Sequence, residues 1–108
     1  MANTFKNAYY DVTTSLAAAY TCPGSTTAIV LPLRITNVDG ANDATIDATV
    51  TDGSSGESYI AYTMTVPADS SIELAGTSKV VLEHSDKIQL KGSAASDLEA
   101  FISVLQIT

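Results

Sequence analysis

The sequence is poor in the residues that carry most enzyme and metal chemistry. Its 108 residues include one cysteine, one histidine and no tryptophan. The lone Cys22 excludes a disulfide within the chain, and the sequence has no CxxC pair, no HExxH motif and no glycine-rich phosphate loop. The sequence therefore gives no support to an enzyme and predicts no cofactor and no metal site.

Basic residues are also scarce. Five lysines and arginines stand against twelve aspartates and glutamates, which gives a net charge of −7. A surface of this sign repels the phosphate backbone of nucleic acid. No apolar run approaches the roughly 20 residues that span a bilayer, and the sequence does not begin with a signal-peptide pattern. We expect a soluble protein made in a cytoplasm, with no nucleic-acid and no membrane partner.

Period-two alternation of apolar residues is the main structural signal that is present, and it is typical of half-buried strands. In the range 26–51 a first strand is predicted to place four residues on one face: Ile29, Leu31, Leu33 and Ile35. After the turn at Asp39-Gly40 a second strand alternates in the same way: Ile46, Ala48 and Val50. A third strand, predicted to pair with the second, repeats the pattern: Ile60, Tyr62, Met64 and Val66.

Turn residues recur along the whole chain, and no segment holds a helical period for three turns; residues 94–100 could form one helical turn at most. This pattern predicts an all-β fold, an antiparallel β-sandwich of jelly-roll or immunoglobulin-like type with about eight short strands. We expect one domain over residues 1–108, with residues 1–6 as a candidate extended N-terminal arm. Its core is predicted to include five side chains: Leu33, Ile35, Ile60, Ile102 and Val104.

Two strands carry more specific expectations. Pro32 lies inside the strand 26–38, and because proline cannot donate to a ladder, this strand should lie at a sheet edge or contain a bulge at that point. The last strand, 98–107, is apolar on both faces from Phe101 to Leu105. That composition predicts a central strand covered from both sides.

The residues that could take part in catalysis or metal binding are better explained as turn residues. His84 has Glu83, Ser85 and Asp86 beside it, but neighbouring positions point in different directions, so proximity in sequence does not assemble a catalytic triad. The acidic segment 39–43 offers oxygen ligands of the kind calcium prefers. Its flanks are predicted strands and the spacing departs from the helix-flanked calcium loop, so calcium is the weaker alternative to a simple turn.

Aromatic residues near the N-terminus are the candidates for a binding surface. Tyr9 and Tyr10 are adjacent, so in a strand one of them faces the core and the other faces out. An exposed tyrosine either anchors an interface, since it buries a large rigid surface, or covers a sheet edge. The segment 2–6 adds the apolar Phe5 to otherwise mostly polar residues. The interface candidates are Phe5, Tyr9 and Tyr10.

Several segments, taken in order, resemble a group of small virion structural proteins of tailed bacteriophages. These segments are MANTFKNA, AYTCPGSTTAIVLPLRITNVDGANDATIDATVTD, VPADSSIEL and VVLEHSDKIQLKGSAASDLEAFISVLQI. In that family a segment of this second type begins the sandwich, the VPA-type turn follows the central hairpin, and the last segment supplies the final strands. The resemblance covers nearly the whole chain, and Cys22, Pro32 and His84 depart from it.

The resemblance implies a non-enzymatic component of a phage particle, made in the cytoplasm of the host bacterium and located in the virion. Two assignments stay open. One is a capsid decoration or cement protein that stabilises the head by binding the major capsid protein or another virion protein. The other is an accessory module of the tail, neck or a fibre, such as an adhesin for host glycans. The length of the chain favours the first, and closed symmetry favours a homo-oligomer, most simply a trimer.

Overall fold

The computed structural model describes residues 2–52, 56–75 and 79–108, and within them it contains nine strands and no helix. The strands are β1 (Asn3–Asp11), β2 (Ala17–Thr21), β3 (Thr27–Asn37), β4 (Ala44–Thr51), β5 (Glu57–Val66), β6 (Ser71–Glu73), β7 (Val80–Leu82), β8 (Lys87–Gly92) and β9 (Leu98–Ile107). Residues 94–97, where at most one helical turn was expected, form turns and bends. The all-β prediction is confirmed. No helix able to cross a membrane occurs in these ranges.

The strands form two antiparallel sheets, ordered β1-β9-β3-β6 with β7 also on β3, and β2-β8-β4-β5. The chain crosses between the sheets at every connection except those from β4 to β5 and from β6 to β7. Pairing is nested from the two ends of the chain to its middle: β1 with β9, β2 with β8, β3 with β6 and β7, β4 with β5. If β6 and β7 are counted as one interrupted strand, this is the eight-stranded connectivity of a jelly roll. The sandwich is therefore of the first of the two predicted types.

The inner faces of the two sheets enclose one apolar core. Its largest fully buried side chains are Leu33, Ile35, Ile46, Leu82, Ile88, Leu90, Leu98, Ile102, Val12, Val30, Val66 and Val104. Four of the five residues predicted for the core are among them. The fifth, Ile60, is half-buried and packs against the cluster from its margin.

β3 contains the bulge that Pro32 requires. The register with β9 shifts between Val30 and Leu33, and on the other side Pro32 falls between the residues paired with β7 and those paired with β6. Because Pro32 is not paired with either neighbouring strand, its lack of an N–H group removes no hydrogen bond from the sheet. The bulge prediction is confirmed and the alternative of an edge position is wrong, because β9 flanks β3 on one side and β6 and β7 on the other.

The bulge also reverses which face of β3 is buried. Before it Val30 points into the core, and after it Leu33 does. The prediction that Ile29 and Leu31 share the inner face with Leu33 is wrong, since both are half-buried and Ile29 faces away from the core. A shift of one residue exchanges the two faces of a strand because side chains alternate with period two.

A carboxylate holds the bulged backbone in place. The N–H of Leu33 donates to Oε2 of Glu73 at 2.7 Å, and the N–H of Ala75 donates to the same oxygen at 3.3 Å. The other oxygen of Glu73 lies 3.9 Å from the guanidinium of Arg34. Glu73 thus supplies the acceptor that the interrupted β3 ladder lacks.

We expect Glu73→Ala to lower the free energy of unfolding by about 1.5 to 3 kcal/mol, because it leaves the Leu33 N–H without its charged acceptor. Urea unfolding monitored by circular dichroism measures the change. Glu83→Ala, which removes an exposed carboxylate of a surface turn, is the matched control and should stay within about 0.5 kcal/mol of the parent. Equal midpoints for the two variants would show that Glu73 does not support the bulge.

The β4–β5 ladder is bulged as well, and this changes the orientation of an aromatic residue. Its register shifts twice, Thr63 has a φ of 49°, and the Thr63 N–H donates to Oδ1 of Asp47 at 2.6 Å. Tyr62 is 70% exposed. The predicted inward alternation of Ile60, Tyr62 and Met64 is therefore wrong for Tyr62 and also for Met64, which is 43% exposed, because the bulges break the period of two.

β9 is central, as predicted, with β1 on one side and β3 on the other. Residues 3–6, marked in the sequence as a candidate arm, form the first part of β1 and pair with the end of β9. Only one face of β9 is covered: Ile102 and Val104 lie in the core, whereas Phe101 and Leu105 are half-exposed on the outer face. The prediction that β9 is covered from both sides is wrong for the single chain.

Candidate interaction surface

The three aromatic residues singled out in the sequence all lie in β1. Phe5 and Tyr9 are 73% and 76% exposed, whereas Tyr10 is half-buried and packs against the core. The strand alternation explains the difference, because Phe5 and Tyr9 have the same parity and Tyr10 the opposite one. The structure thus places Phe5 and Tyr9 together on the outer face of the five-stranded sheet and Tyr10 on its inner side.

Strand register extends this surface into an apolar row that crosses four strands. Phe5 of β1 is opposite Leu105 of β9, Leu105 is opposite Ile29 of β3, and Ile29 is opposite Val81 of β7. All four side chains face away from the core, and Val81 is 58% exposed. We call this set, Phe5, Leu105, Ile29 and Val81, the apolar row.

A second cross-strand line runs beside the apolar row and is partly charged. The rings of Tyr9 and Phe101 lie 5.5 Å apart between centroids at an interplanar angle of 44°, and Phe101 is opposite Arg34, which is opposite Glu73. Between the two lines, the hydroxyl of Ser103 donates to Oδ1 of Asn7 at 2.7 Å. The surface thus combines apolar side chains with polar groups that lie between and beside them.

Sequence reasoning singled out Phe5 and Tyr9, which lie on this outer face, but not Leu105, Ile29 and Val81 beside them. Ile29 was assigned to the core because the bulge at Pro32 was not placed in the register, and Leu105 was assigned to a strand covered on both faces. One signal was available in the sequence. A strand apolar on both faces, in a chain predicted to have only two layers of sheet, necessarily leaves one apolar face open.

A smaller aromatic pair lies on the opposite sheet. Tyr59 and Tyr62 of the edge strand β5 contact each other edge to face, with centroids 4.9 Å apart and an interplanar angle of 78°. Tyr59 is opposite Thr49, whose hydroxyl donates to Oε1 of Gln89 at 3.2 Å. This outer face is mainly polar, unlike the one that carries the apolar row.

Cys22 and the turn that contains His84 lie next to each other, since the N–H of Cys22 donates to the carbonyl of Asp86 at 2.8 Å and the N–H of Ser85 donates to the carbonyl of Cys22 at 2.9 Å. His84 is exposed in the turn 83–86, where the N–H of Asp86 donates to the carbonyl of Glu83 and the N–H of Glu83 donates to the Asp86 carboxylate. Cys22 is buried, with its Sγ 3.3 Å from the Thr26 carbonyl oxygen. Burial raises the pKa of the Cys22 thiol, the opposite of what a reactive cysteine needs.

The acidic turn 39–43 uses its leading carboxylate to order its own backbone. Oδ1 of Asp39 accepts the N–H of Ala41 at 2.8 Å and that of Asn42 at 3.2 Å, and Oδ2 accepts the Asn42 side-chain amide at 3.2 Å. These hydrogen bonds, led by that from Ala41, lower the pKa of Asp39. Within residues 2–52, 56–75 and 79–108 no three histidine, cysteine, aspartate or glutamate side chains are grouped to hold a metal ion.

No protein-family model matches the sequence, and no curated protein matches it significantly. Solved structures that are similar include two of a pentameric capsid protein from metagenomic phage sequences. The first has a TM-score of 0.49 and 21% identity over 90% of this chain, and the second has 0.46 and 20% over 93%. A protein of the disulfide-linked pili of Bacillus endospore appendages has a TM-score of 0.46 and 15% identity over 99% of this chain and 87% of its own. This chain spans 60% and 59% of the two capsid chains.

Proposed function

We propose that the protein is a non-enzymatic structural component of a bacteriophage particle, a capsid decoration or cement protein that stabilises the head. The observation that carries the proposal is the apolar row on the open face of the β1-β9-β3 sheet. Contiguous exposed apolar patches on soluble proteins mark interaction sites, especially where polar residues surround them. From the sequence resemblance to small virion proteins we infer the kind of partner, which is the major capsid protein or another virion protein.

Phe5 and Tyr9 are the proposed anchors of this contact. Aromatic residues dominate binding energy at interfaces when they enter a pocket of the partner, because each buries a large rigid surface at a low cost in side-chain entropy. Both side chains are highly exposed, so they can enter a concave site of the partner. Leu105 and Ile29, which are half-buried, form the flatter part of the surface between Phe5 and Val81. Tyr10 supports β1 from the core side.

Stabilisation of the head follows from mass action. A protein that binds the assembled shell and not its free subunits favours assembly by about 2.7 kcal/mol per site when its free concentration is a hundred times its dissociation constant. Small gains add over the many equivalent positions of a shell. A homo-oligomer that forms once the protein is docked, with three copies around a local three-fold position of the shell, would place three sets of anchors on neighbouring shell subunits at once.

Removal and re-addition of the protein test the proposal. Particles lacking the protein should rupture at lower temperature and in milder osmotic shock than complete particles, measured by release of their DNA. Addition of purified protein should restore both. If depleted particles are equally robust but fail to adsorb to cells, the capsid assignment is wrong and the alternative below is the better one.

The alternative is an accessory module of the tail, neck or a fibre, such as an adhesin for host glycans, and one observation favours it. Tyr59 and Tyr62 form an exposed aromatic pair on the face opposite the apolar row, where a sugar ring could stack on Tyr62. Tyr62→Ala should then reduce adsorption of the phage to cells and leave head stability unchanged. Unchanged adsorption in that variant rules out a role for this face in host binding.

A further inference from the structure

We propose that β1 is a pairing edge through which two copies of the chain form one continuous sheet, with Asn7 at the two-fold axis and Phe5 opposite the partner's Tyr9. The proposal concerns contacts between copies of this chain and does not depend on which virion protein is bound. It rests on the backbone and sequence of β1, so it can succeed or fail independently of the capsid assignment.

β1 is the least protected of the sheet edges. It has nine residues, and its ladder with β9 runs from Asn3 to Asp11 without a register shift. The other edges are interrupted: the β5 ladder shifts twice, the β2 ladder shifts once, and β6 and β7 have three residues each. Bulges and short strands are two of the devices that prevent pairing at an edge, and β1 has neither of them.

Hydrogen bonds at its two ends show which residues of β1 face the free edge. The N–H of Thr108 donates to the carbonyl of Ala2, and the N–H of Val12 donates to the carbonyl of Leu98, both at 3.0 Å. In an antiparallel ladder the residues that direct both backbone groups to the same neighbour alternate. Even-numbered residues therefore bond to β9, and the odd-numbered ones point outward: Asn3, Phe5, Asn7, Tyr9 and Asp11.

One register uses the whole strand. Antiparallel pairing about Asn7 sets each of these outward-pointing residues opposite an outward-pointing residue of the partner, over the full length from Asn3 to Asp11. It also sets Phe5 opposite the partner's Tyr9, twice by symmetry, and aromatic cross-strand pairs stabilise sheets. No two like charges are directly opposite, because Asp11 is opposite the partner's Asn3 and Lys6 the partner's Ala8. Registers that pair fewer residues lose both the full-length ladder and the two Phe5–Tyr9 pairs.

The charges of the chain oppose this contact mildly, so the strength of the dimer should depend on salt. The two Lys6 side chains are diagonal neighbours in the proposed register, and each copy carries a net charge of −7. Both repulsions are screened by salt. Dimerisation should therefore strengthen as salt is added, and Lys6→Thr should strengthen it further at low salt. Lys6 then acts as a charge that keeps the edge from pairing indiscriminately.

Sedimentation equilibrium of the purified protein tests the contact directly. The parent should show a monomer–dimer equilibrium that salt shifts toward the dimer. Asn7→Pro removes an N–H that points to the free edge, a position where proline is compatible with a strand, and should weaken the dimer by about tenfold or more because the lost bond occurs twice. Asn7→Ala, which keeps the N–H, is the matched control and should still dimerise. A parent that is monomeric at all concentrations and salts overturns the proposal.

Cysteine cross-linking tests the register and remains informative if the proline variant fails to fold. In the proposed dimer the two Asn7 Cα atoms are about 5.5 Å apart, within the range of roughly 4.4 to 6.8 Å that a disulfide spans. Asn7→Cys should therefore cross-link under mild oxidation at least about tenfold faster than Phe5→Cys, whose two copies lie four residues apart, about 13 Å along the strands. The native Cys22 is buried. Equal rates for the two variants would contradict this register.

Discussion

Truncation of Ile35 to alanine is expected to lower the free energy of unfolding by about 2 to 5 kcal/mol, whereas the same truncation at Ile29 should cost clearly less. Ile35 is fully buried between the sheets, and Ile29 is half-buried on the outer face. The two residues belong to the same strand and have the same parity, so a regular strand would place both in the core. The difference in burial between them arises from the bulge at Pro32.

This pair of variants is therefore a direct test of the reversed face of β3. Urea unfolding of both, analysed with equal slopes, gives the difference in free energy without further assumptions. Val30→Ala adds a third point, because Val30 is buried although its parity is that of exposed residues beyond the bulge. Equal destabilisation at Ile29 and Ile35 would mean that β3 runs without a bulge and that the apolar row is assigned to the wrong side.

Phe5→Glu and Val81→Glu, at the two ends of the apolar row, are each expected to weaken binding to depleted particles by about 30-fold or more. A carboxylate at either position would be buried without a partner in the complex, and it would also add to the negative charge of the chain. Both residues are exposed in the free protein, so the thermal stability of the isolated domain should hardly change. Co-sedimentation with particles at several protein concentrations measures the affinity.

Tyr62→Glu is the matched control, since it introduces the same charge at an equally exposed aromatic position on the opposite sheet. It should leave particle binding unchanged. If all three variants bind as the parent does, the apolar row is not the docking surface. If Tyr62→Glu alone loses binding, the contact lies on the β2-β8-β4-β5 face.

Most of the strands could be predicted from the sequence, because their signals are local. Ile46 and Ala48 in β4, and Ile88 and Leu90 in β8, alternate cleanly and all four are buried. The faces of β3 and β5 could not be predicted, because they depend on bulges that distant residues hold in place. The carboxylate of Glu73, forty residues along the chain from Leu33, accepts the N–H of Leu33. The pattern of apolar residues within β3 gives no indication of that contact.

The apolar outer face of the five-stranded sheet could be predicted only in part from the sequence, for a related reason. Adjacent Tyr9 and Tyr10 show by alternation alone that one of them is exposed. The apolar row, in contrast, is assembled from four strands that are far apart in the chain, and its members become neighbours only through the registers of β1, β9, β3 and β7. A single sequence does not specify such registers, so Leu105 and Val81 could not be joined to Phe5 in advance.

The position of β9 between β1 and β3 has a consequence for how the chain folds during synthesis. Asn3 is paired with Ile107, and Thr27 is paired with that same residue from the other side. Until β9 has been translated, β1 therefore has no strand to pair with, and the long β3 lacks the longer of its two ladders. Closing such long loops costs entropy before any contact repays it, which slows folding to the range of milliseconds to seconds typical of β-sandwiches. We therefore expect the β4–β5 hairpin, whose strands are close in sequence, to form first, and the sheet that carries the apolar row to be completed after it.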